Sequence, residues 1–435
     1  MDQLTGLPLK IMTQLAGSKR LQRAGLLKPL ENFLYQGSKT VVSTAVEALK
    51  RARPVMKMVQ PARMKPAGAP TGLFDLTLTD SQQMVRDTMQ KFAKNTLRPA
   101  ALHADESSSP PDGLLDEAHG LGLSMLAVPE ALGGAGEARS PMTNAIVAED
   151  LARGDASLAL AALAPVAFVH ALVDYGTAEQ QGEYLPVFAG EEFYPAAVAL
   201  LERRPLFDPH RLSTRATLQN GSYVLNGTKS LVPLAEDAQV LLVIADLGGK
   251  PQGFLVEKGT PGVTVTPEPT MGLRAAKLGT VKLEDVRLPA KAKLGGDEGI
   301  DSERLIDLAR IAWGAIAVGV CDAILSYVKE YCSDRVAFGE PIVYRQSVAF
   351  LIANIAIELD GLRLLVWRAA SRAEAGKDFH REAALVRVQA ADKAMEIATN
   401  GVQLLGGAGF IKEHPVELWY RQLRAIGIVE GALSV

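Results

Sequence analysis

The chain has 435 residues, of which 48% are hydrophobic, 22% charged and 6% aromatic. That is enough apolar material for two to four packed units at about 100–200 residues each, and it excludes a disordered tail protein or a small stapled scaffold. A net charge of −3 excludes a uniformly basic nucleic-acid binder.

The charge is unevenly placed. Residues 1–66 hold twelve Lys or Arg against three acids, a surplus of nine, so the remainder carries −12. Over residues 21–34 and 41–58 apolar and basic residues alternate with loose helical periodicity. Such a segment lies on an anionic membrane surface, docks on its own body or a partner subunit, or serves as an organellar presequence. The start has no basic n-region followed by a compact apolar run, and no window reaches the roughly 18 uncharged apolar residues of a membrane span. Gln60, Pro61, Pro66, Gly68 and Pro70 then close this arm.

Beyond the arm, Thr79 and Asp80 are set to cap a helix running through Met84, Val85, Met89 and Phe92. Further helices follow over 149–153 and 159–175, with the turn-rich link 128–136 before them. The character then changes. Tyr223-Val224-Leu225 reads as a strand running into a hairpin turn at Asn226-Gly227. Short strands are expected at 240–245, 253–256, 263–266 and 279–283, making a small β-barrel or sandwich. From residue 302 three long helices with i, i+3/i+4 apolar spacing (302–330, 344–374 and 380–405) predict a bundle. The resulting division is a basic extension (1–75), a helical domain (76–193), a β domain (194–289) and a helical bundle (290–435).

Cys321 and Cys332, eleven residues apart in one helical stretch, stand about 16 Å apart by helical rise, too far for a disulfide. The pair fits a reducing compartment, and the expected location is cytoplasmic, with peripheral membrane association through the arm or a mitochondrial matrix as further options. The six histidines (His103, His119, His170, His210, His380, His414) show no ligand spacing, so no metal is expected.

Several local signatures occur in a fixed order: Val128-Pro129-Glu130 with Gly133-Gly134; Glu149-Asp150-Leu151-Ala152-Arg153; Asn226-Gly227-Thr228-Lys229; Glu284-Asp285-Val286-Arg287-Leu288-Pro289; Arg335-Val336-Ala337-Phe338-Gly339-Glu340-Pro341; Gln403-Leu404-Leu405-Gly406-Gly407; and Glu430-Gly431. In this order the chain resembles the acyl-CoA dehydrogenase family of flavoproteins, over almost the whole body. The resemblance implies an α+β multidomain fold: an N-terminal helical domain, a middle β-barrel domain and a C-terminal four-helix bundle. It implies FAD as cofactor and oxidation of an acyl-CoA to trans-2-enoyl-CoA, with electrons passed to an electron-transfer flavoprotein and a dimeric or tetrameric homo- or hetero-oligomer. Glu430 matches the family's usual base, and Glu303, just before Arg304, matches the place a minority of members use. The FAD-binding counterparts are Arg335, Phe338 and Gln346 from one chain with Gln403, Gly406 and Gly407 from its neighbour. An Arg fork suits a diphosphate, and glycines allow close backbone approach.

Two stretches depart from the family. Where it has Thr-Glu-Pro-x-Ala-Gly-Ser-Asp, this chain has Leu201-Glu202-Arg203-Arg204-Pro205-Leu206-Phe207-Asp208. Where the family has Trp-Ile-Thr or Trp-Ile-Ser over the flavin, it has Ser230-Leu231-Val232. Two readings stay open beside the active enzyme: a catalytically degenerate subunit that completes a partner's FAD site, and a binding protein tethered to membrane through residues 1–66.

Overall fold

The computed structural model describes residues 77–136 and 139–435. The basic arm, with its two expected helical stretches, lies outside the described residues.

The helical domain comprises α1 (Asp80–Phe92), α2 (Arg98–Ser107), α3 (Leu114–His119), α4 (Pro141–Gly154), α5 (Ala156–Tyr175) and α6 (Ala178–Tyr184). Thr79 caps α1 as expected: its side chain accepts from the Gln82 amide and Gln82 reaches back to the Thr79 amide, so two orphan donors are satisfied at once. Helix α5 follows α4 almost directly, because Asp155 accepts the Leu158 amide at 2.9 Å and restarts the helix.

Strands β1 (Ala196–Ala199), β2 (Arg215–Gln219), β3 (Ser222–Val232), β4 (Val240–Leu247), β5 (Lys250–Glu257), β6 (Val263–Pro267) and β7 (Gly279–Pro289) form one seven-stranded sheet. Its order is β1-β4-β2-β3-β7-β6, with β5 on β4. The expected turn at Asn226-Gly227 is not a turn. Strand β3 runs straight through it, and Gly227 is needed because a Cβ there would meet Thr214 Cα at 2.5 Å. The hairpin lies one Asn-Gly earlier: Asn220 and Gly221 both take left-handed φ, and Gln219 pairs with Ser222.

The bundle is built from α7 (Ser302–Asp334), the two-stranded hairpin β8 (Val336–Ala337) and β9 (Glu340–Pro341), α8 (Gln346–Glu374), α9 (His380–Leu405) and α10 (Val416–Ile426). Cys321 and Cys332 both sit buried on α7 as free thiols. Two helices, α5 and α7, are long and apolar enough by length and hydropathy to cross a membrane, which the sequence reading did not anticipate. Both are core helices instead. Leu160 of α5 joins the cluster shared with the bundle, Phe168 the cluster under β1 and β4, and Ala161 and Ala164 the interior of the sheet. A helix packed on every side has no polar face to keep.

Candidate active site

The chain brings two separate groups of residues into play. The first lies at one end of the bundle, where α7 and α9 end and α8 begins. Arg335 follows the last turn of α7, Phe338 sits at the tip of the β8–β9 hairpin, and Gln346 opens α8. Phe338 and Gly339 both have left-handed φ, a two-residue turn that thrusts the phenyl ring out to 97% exposure. Gln403 and the exposed Gly406 and Gly407 end α9. A Cβ at either glycine would meet nothing within 4 Å, so the backbone there is open to a partner.

The second group surrounds Glu430. Its side chain is 7% exposed and faces two guanidiniums: Arg387 Nε donates to Oε1 at 3.1 Å, and Arg310 reaches both oxygens at 3.3 and 3.4 Å. Arg310 is the one charge in the run 308–321 of α7, and Arg387 comes from α9. Two opposing cations fix the carboxylate's orientation and offset the cost of burying it. Trp313 Nε1 donates to the Gly431 carbonyl at 2.7 Å and pins the next residue. Gly431 and Ala432 both take left-handed φ, +69° and +63°, and a Cβ on Gly431 would stand 2.7 Å from Leu200 Cβ. For Ala432 that conformation costs roughly 1 kcal/mol. Ala432, Leu433 and Ser434 then line a narrow cleft together with residues of α5, β1 and α7.

Glu303 is placed differently. It stands on the first turn of α7, 62% exposed at its side chain, with His380 Nδ1 3.9 Å away. Asp307, one turn on, is buried and accepts from His380 at 2.8 Å, with Arg310 at 3.7 Å. The hydrogen bond to Asp307 raises the His380 pKa above its usual value. Glu303, Asp307 and His380 form the one His-containing cluster of ligand type among the described residues. Spacing along the sequence hid it, because His380 reaches α7 from the start of α9.

Family models match all three domains of this arrangement: the N-terminal domain of acyl-CoA dehydrogenase over residues 79–192, the middle domain over 197–286 and the C-terminal domain over 300–435. The chain belongs to the acyl-CoA dehydrogenase family. Among its relatives, the human mitochondrial short-chain specific acyl-CoA dehydrogenase is 32% identical over 369 residues, covering 82% of this chain and 88% of that protein. The solved butyryl-CoA dehydrogenase of Megasphaera elsdenii superposes with a TM-score of 0.75 at 30% identity, covering 82% of this chain and 96% of that one. A chain from a structure titled for the electron transferring flavoprotein of Acidaminococcus fermentans superposes equally well, TM-score 0.75, at 28% identity with the same coverage. Acyl-CoA dehydrogenases are FAD-dependent oxidoreductases, and the fold expected from the resemblance is the one observed, with the middle barrel realised as a curled sheet.

The bundle-end group fits a dinucleotide diphosphate: an exposed guanidinium, an exposed aromatic ring and open glycine backbone. The ring side is built otherwise. Leu201 and Val232, at the family's hydroxyl positions, are 7% and 1% exposed and offer no side-chain hydrogen bond. Between them β3 carries a register shift from Lys229 to Val232, with Leu231 at φ +52°, and Leu231 packs against the bundle core. Ser230 Oγ and the Leu231 amide are both taken by Glu268, at 2.8 and 3.0 Å. Arg203 pairs with Glu268 at 2.7 Å on the surface, and Phe207 packs half-buried on the cluster under β1.

Sequence reasoning missed Arg310, Arg387 and Trp313. The available signal for Arg310 was a single charge, three residues after Asp307, in the otherwise uncharged run 308–321.

Proposed function

We propose that this chain catalyses FAD-dependent α,β-dehydrogenation of a short-chain acyl-CoA, giving the trans-2-enoyl-CoA, with an electron-transfer flavoprotein as acceptor. The observation that carries this reading is the place of Glu430: a buried carboxylate at the Glu430–Gly431 turn, held between Arg310 of α7 and Arg387 of α9. Glu430 takes the α-proton of the thioester there, and its own backbone N–H is the donor aimed at the thioester carbonyl. FAD, when bound, supplies the acceptor for the β-hydrogen and its electron pair. Arg310 and Arg387 hold the carboxylate in position until substrate enters. Arg335, Phe338 and Gln346, facing Gln403, Gly406 and Gly407 of a neighbouring copy, hold the diphosphate and adenine end. The short-chain preference draws on the relatives' printed specificities. The buried free thiols support a reducing compartment.

Replacing Glu430 by Gln keeps shape and removes the proton acceptor. Turnover of butyryl-CoA is expected to fall about 10²–10⁴-fold with butyryl-CoA binding retained. Unchanged turnover moves the role to Glu303.

The apolar ring side favours a second reading, in which this chain completes a partner's FAD site without turning over itself. Flavin absorbance of the reconstituted protein separates the two: one FAD per chain supports the enzyme, and flavin-free protein supports the partner subunit.

A further inference from the structure

We propose that Asp307 is a positioning residue for Glu430: it shares the Arg310 guanidinium with that carboxylate and keeps it oriented without locking it. The inference rests on the reading of Glu430 as the base. Arg310 stands between two acids. Its Nε and one terminal nitrogen face Glu430 at 3.4 and 3.3 Å, and the other terminal nitrogen lies 3.7 Å from Asp307 Oδ1. All three distances exceed the roughly 2.7–2.9 Å of a tight charge-assisted hydrogen bond. The guanidinium is poised between the two carboxylates and can close on either.

Asp307 is fixed for this task. It lies one turn before Arg310 on α7, its side chain is 3% exposed, and among the described residues its Oδ1 accepts no hydrogen bond. Its other oxygen accepts from His380 Nδ1 at 2.8 Å, so the start of α9 holds it in place. A contact chain therefore runs from His380 through Asp307 and Arg310 to Glu430. Arg387 is held differently, because it also donates to the Ile426 carbonyl. Of the two cations on Glu430, Arg310 is the one free to shift. The balance matters to a base. A bidentate fork closed on a carboxylate favours its charged form and resists its taking a proton, whereas a fork withdrawn from it leaves the carboxylate unaimed.

The first test is steady-state turnover of butyryl-CoA by the flavin-loaded protein. In Asp307→Asn nothing draws Arg310 back from Glu430, so kcat should fall about tenfold while KM changes less than about twofold. The same substitution in an Arg310→Met background should lower kcat no further, since its effect passes through Arg310. Unchanged kcat in Asp307→Asn, or an equal further loss in the Arg310→Met background, overturns the positioning role. If Glu430→Gln is as active as the parent, the reading of Glu430 as base falls and this inference with it. A second measurement needs no turnover. In protein labelled with ¹⁵N-arginine, the Arg310 Nε–H signal, assigned by its loss in Arg310→Met, reports the contact with Glu430. It should move downfield in Asp307→Asn, where the fork closes on Glu430. It should move upfield in His380→Ala, a change at a half-exposed ring that leaves Asp307 to Arg310 alone. A signal that stays in place, or moves the same way in both, overturns the proposal.

Discussion

Lys229 is wholly buried, an uncommon place for a lysine, and its surroundings explain why it stays. Its Nζ donates to Glu202 at 2.9 Å and to the Leu200 carbonyl at 3.0 Å. Glu202 also accepts the amides of Ser213 and Thr214 at 2.7 and 2.8 Å. Burial pulls the ammonium down to about 8 against the attraction of Glu202. Burial also works against the Glu202 charge, yet Lys229 and the two amides hold that carboxyl below its ordinary value. The pair ties the end of β1 to the shifted stretch of β3, the two segments that carry Leu201 and Val232 at the ring side. Removing one partner leaves the other charge stranded, so Lys229→Met should cost about 3–5 kcal/mol in denaturant unfolding. Adding Glu202→Gln should recover part of that loss, because the stranded charge is gone. Asn226-Gly227-Thr228-Lys229 was legible in the sequence as a motif. The burial of its lysine was not, because Lys is ordinarily exposed and its partners Glu202 and Leu200 lie 27 and 29 residues back in the chain. Glu430 was legible by its Gly neighbour near the end of the chain. Its two arginines were not, since they come from helices 43 and 120 residues away.

At the scale of an element, α4 shows what a carboxylate costs inside a packed helix. Asp150 is 2% exposed, accepts from Gln90 at 3.0 Å and stands 3.6 Å from Arg86, with Oδ2 lacking a hydrogen-bond partner. Its neighbour Glu149 is better served, by Arg363 at 2.8 Å and Trp367 at 3.1 Å. Burial, outweighing Gln90 and Arg86, pushes Asp150 up to about 7. The sign follows directly. Between the ordinary value of 3.8 and about 7 the folded protein keeps a proton that the unfolded chain has lost, so this residue's contribution falls as pH rises through that window. Above it the full cost of the buried charge is present. Asp150→Asn removes the titration and leaves an oxygen for Gln90. Its stabilising effect in denaturant unfolding should be larger at pH 8 than at pH 5 by roughly 2 kcal/mol. Helix positions such as α1, α5, α7 and α9 were legible because 3.6-residue periodicity and caps are local signals. The β hairpin was misplaced because two Asn-Gly pairs lie six residues apart, and only strand pairing decides which one turns.

The whole molecule leaves an apolar face uncovered. On α8, Phe350, Ile357 and Leu364 recur every seven residues, 58%, 67% and 46% exposed, and on α9 Val388 is 63% exposed. A seven-residue repeat returns to the same side of a helix, so the three α8 residues make one stripe. The stripe belongs to the same pair of helices whose ends carry Gln346 and Gln403. A large apolar stripe on a folded protein marks a surface that meets a partner. If a second copy covers it, the neighbour's Gln403, Gly406 and Gly407 reach the diphosphate end held by Arg335, and cofactor retention depends on assembly. Ile357→Asp with Leu364→Asp places two charges on that stripe without touching Glu430 or the residues proposed to hold the diphosphate. Light scattering on the eluting protein should then report the mass of a single chain of 46.4 kDa. The isolated chain should also lose flavin on gel filtration while its thermal transition persists. A variant that stays oligomeric locates the subunit contact elsewhere, and one that becomes monomeric yet keeps its flavin shows that a single chain suffices to hold the cofactor.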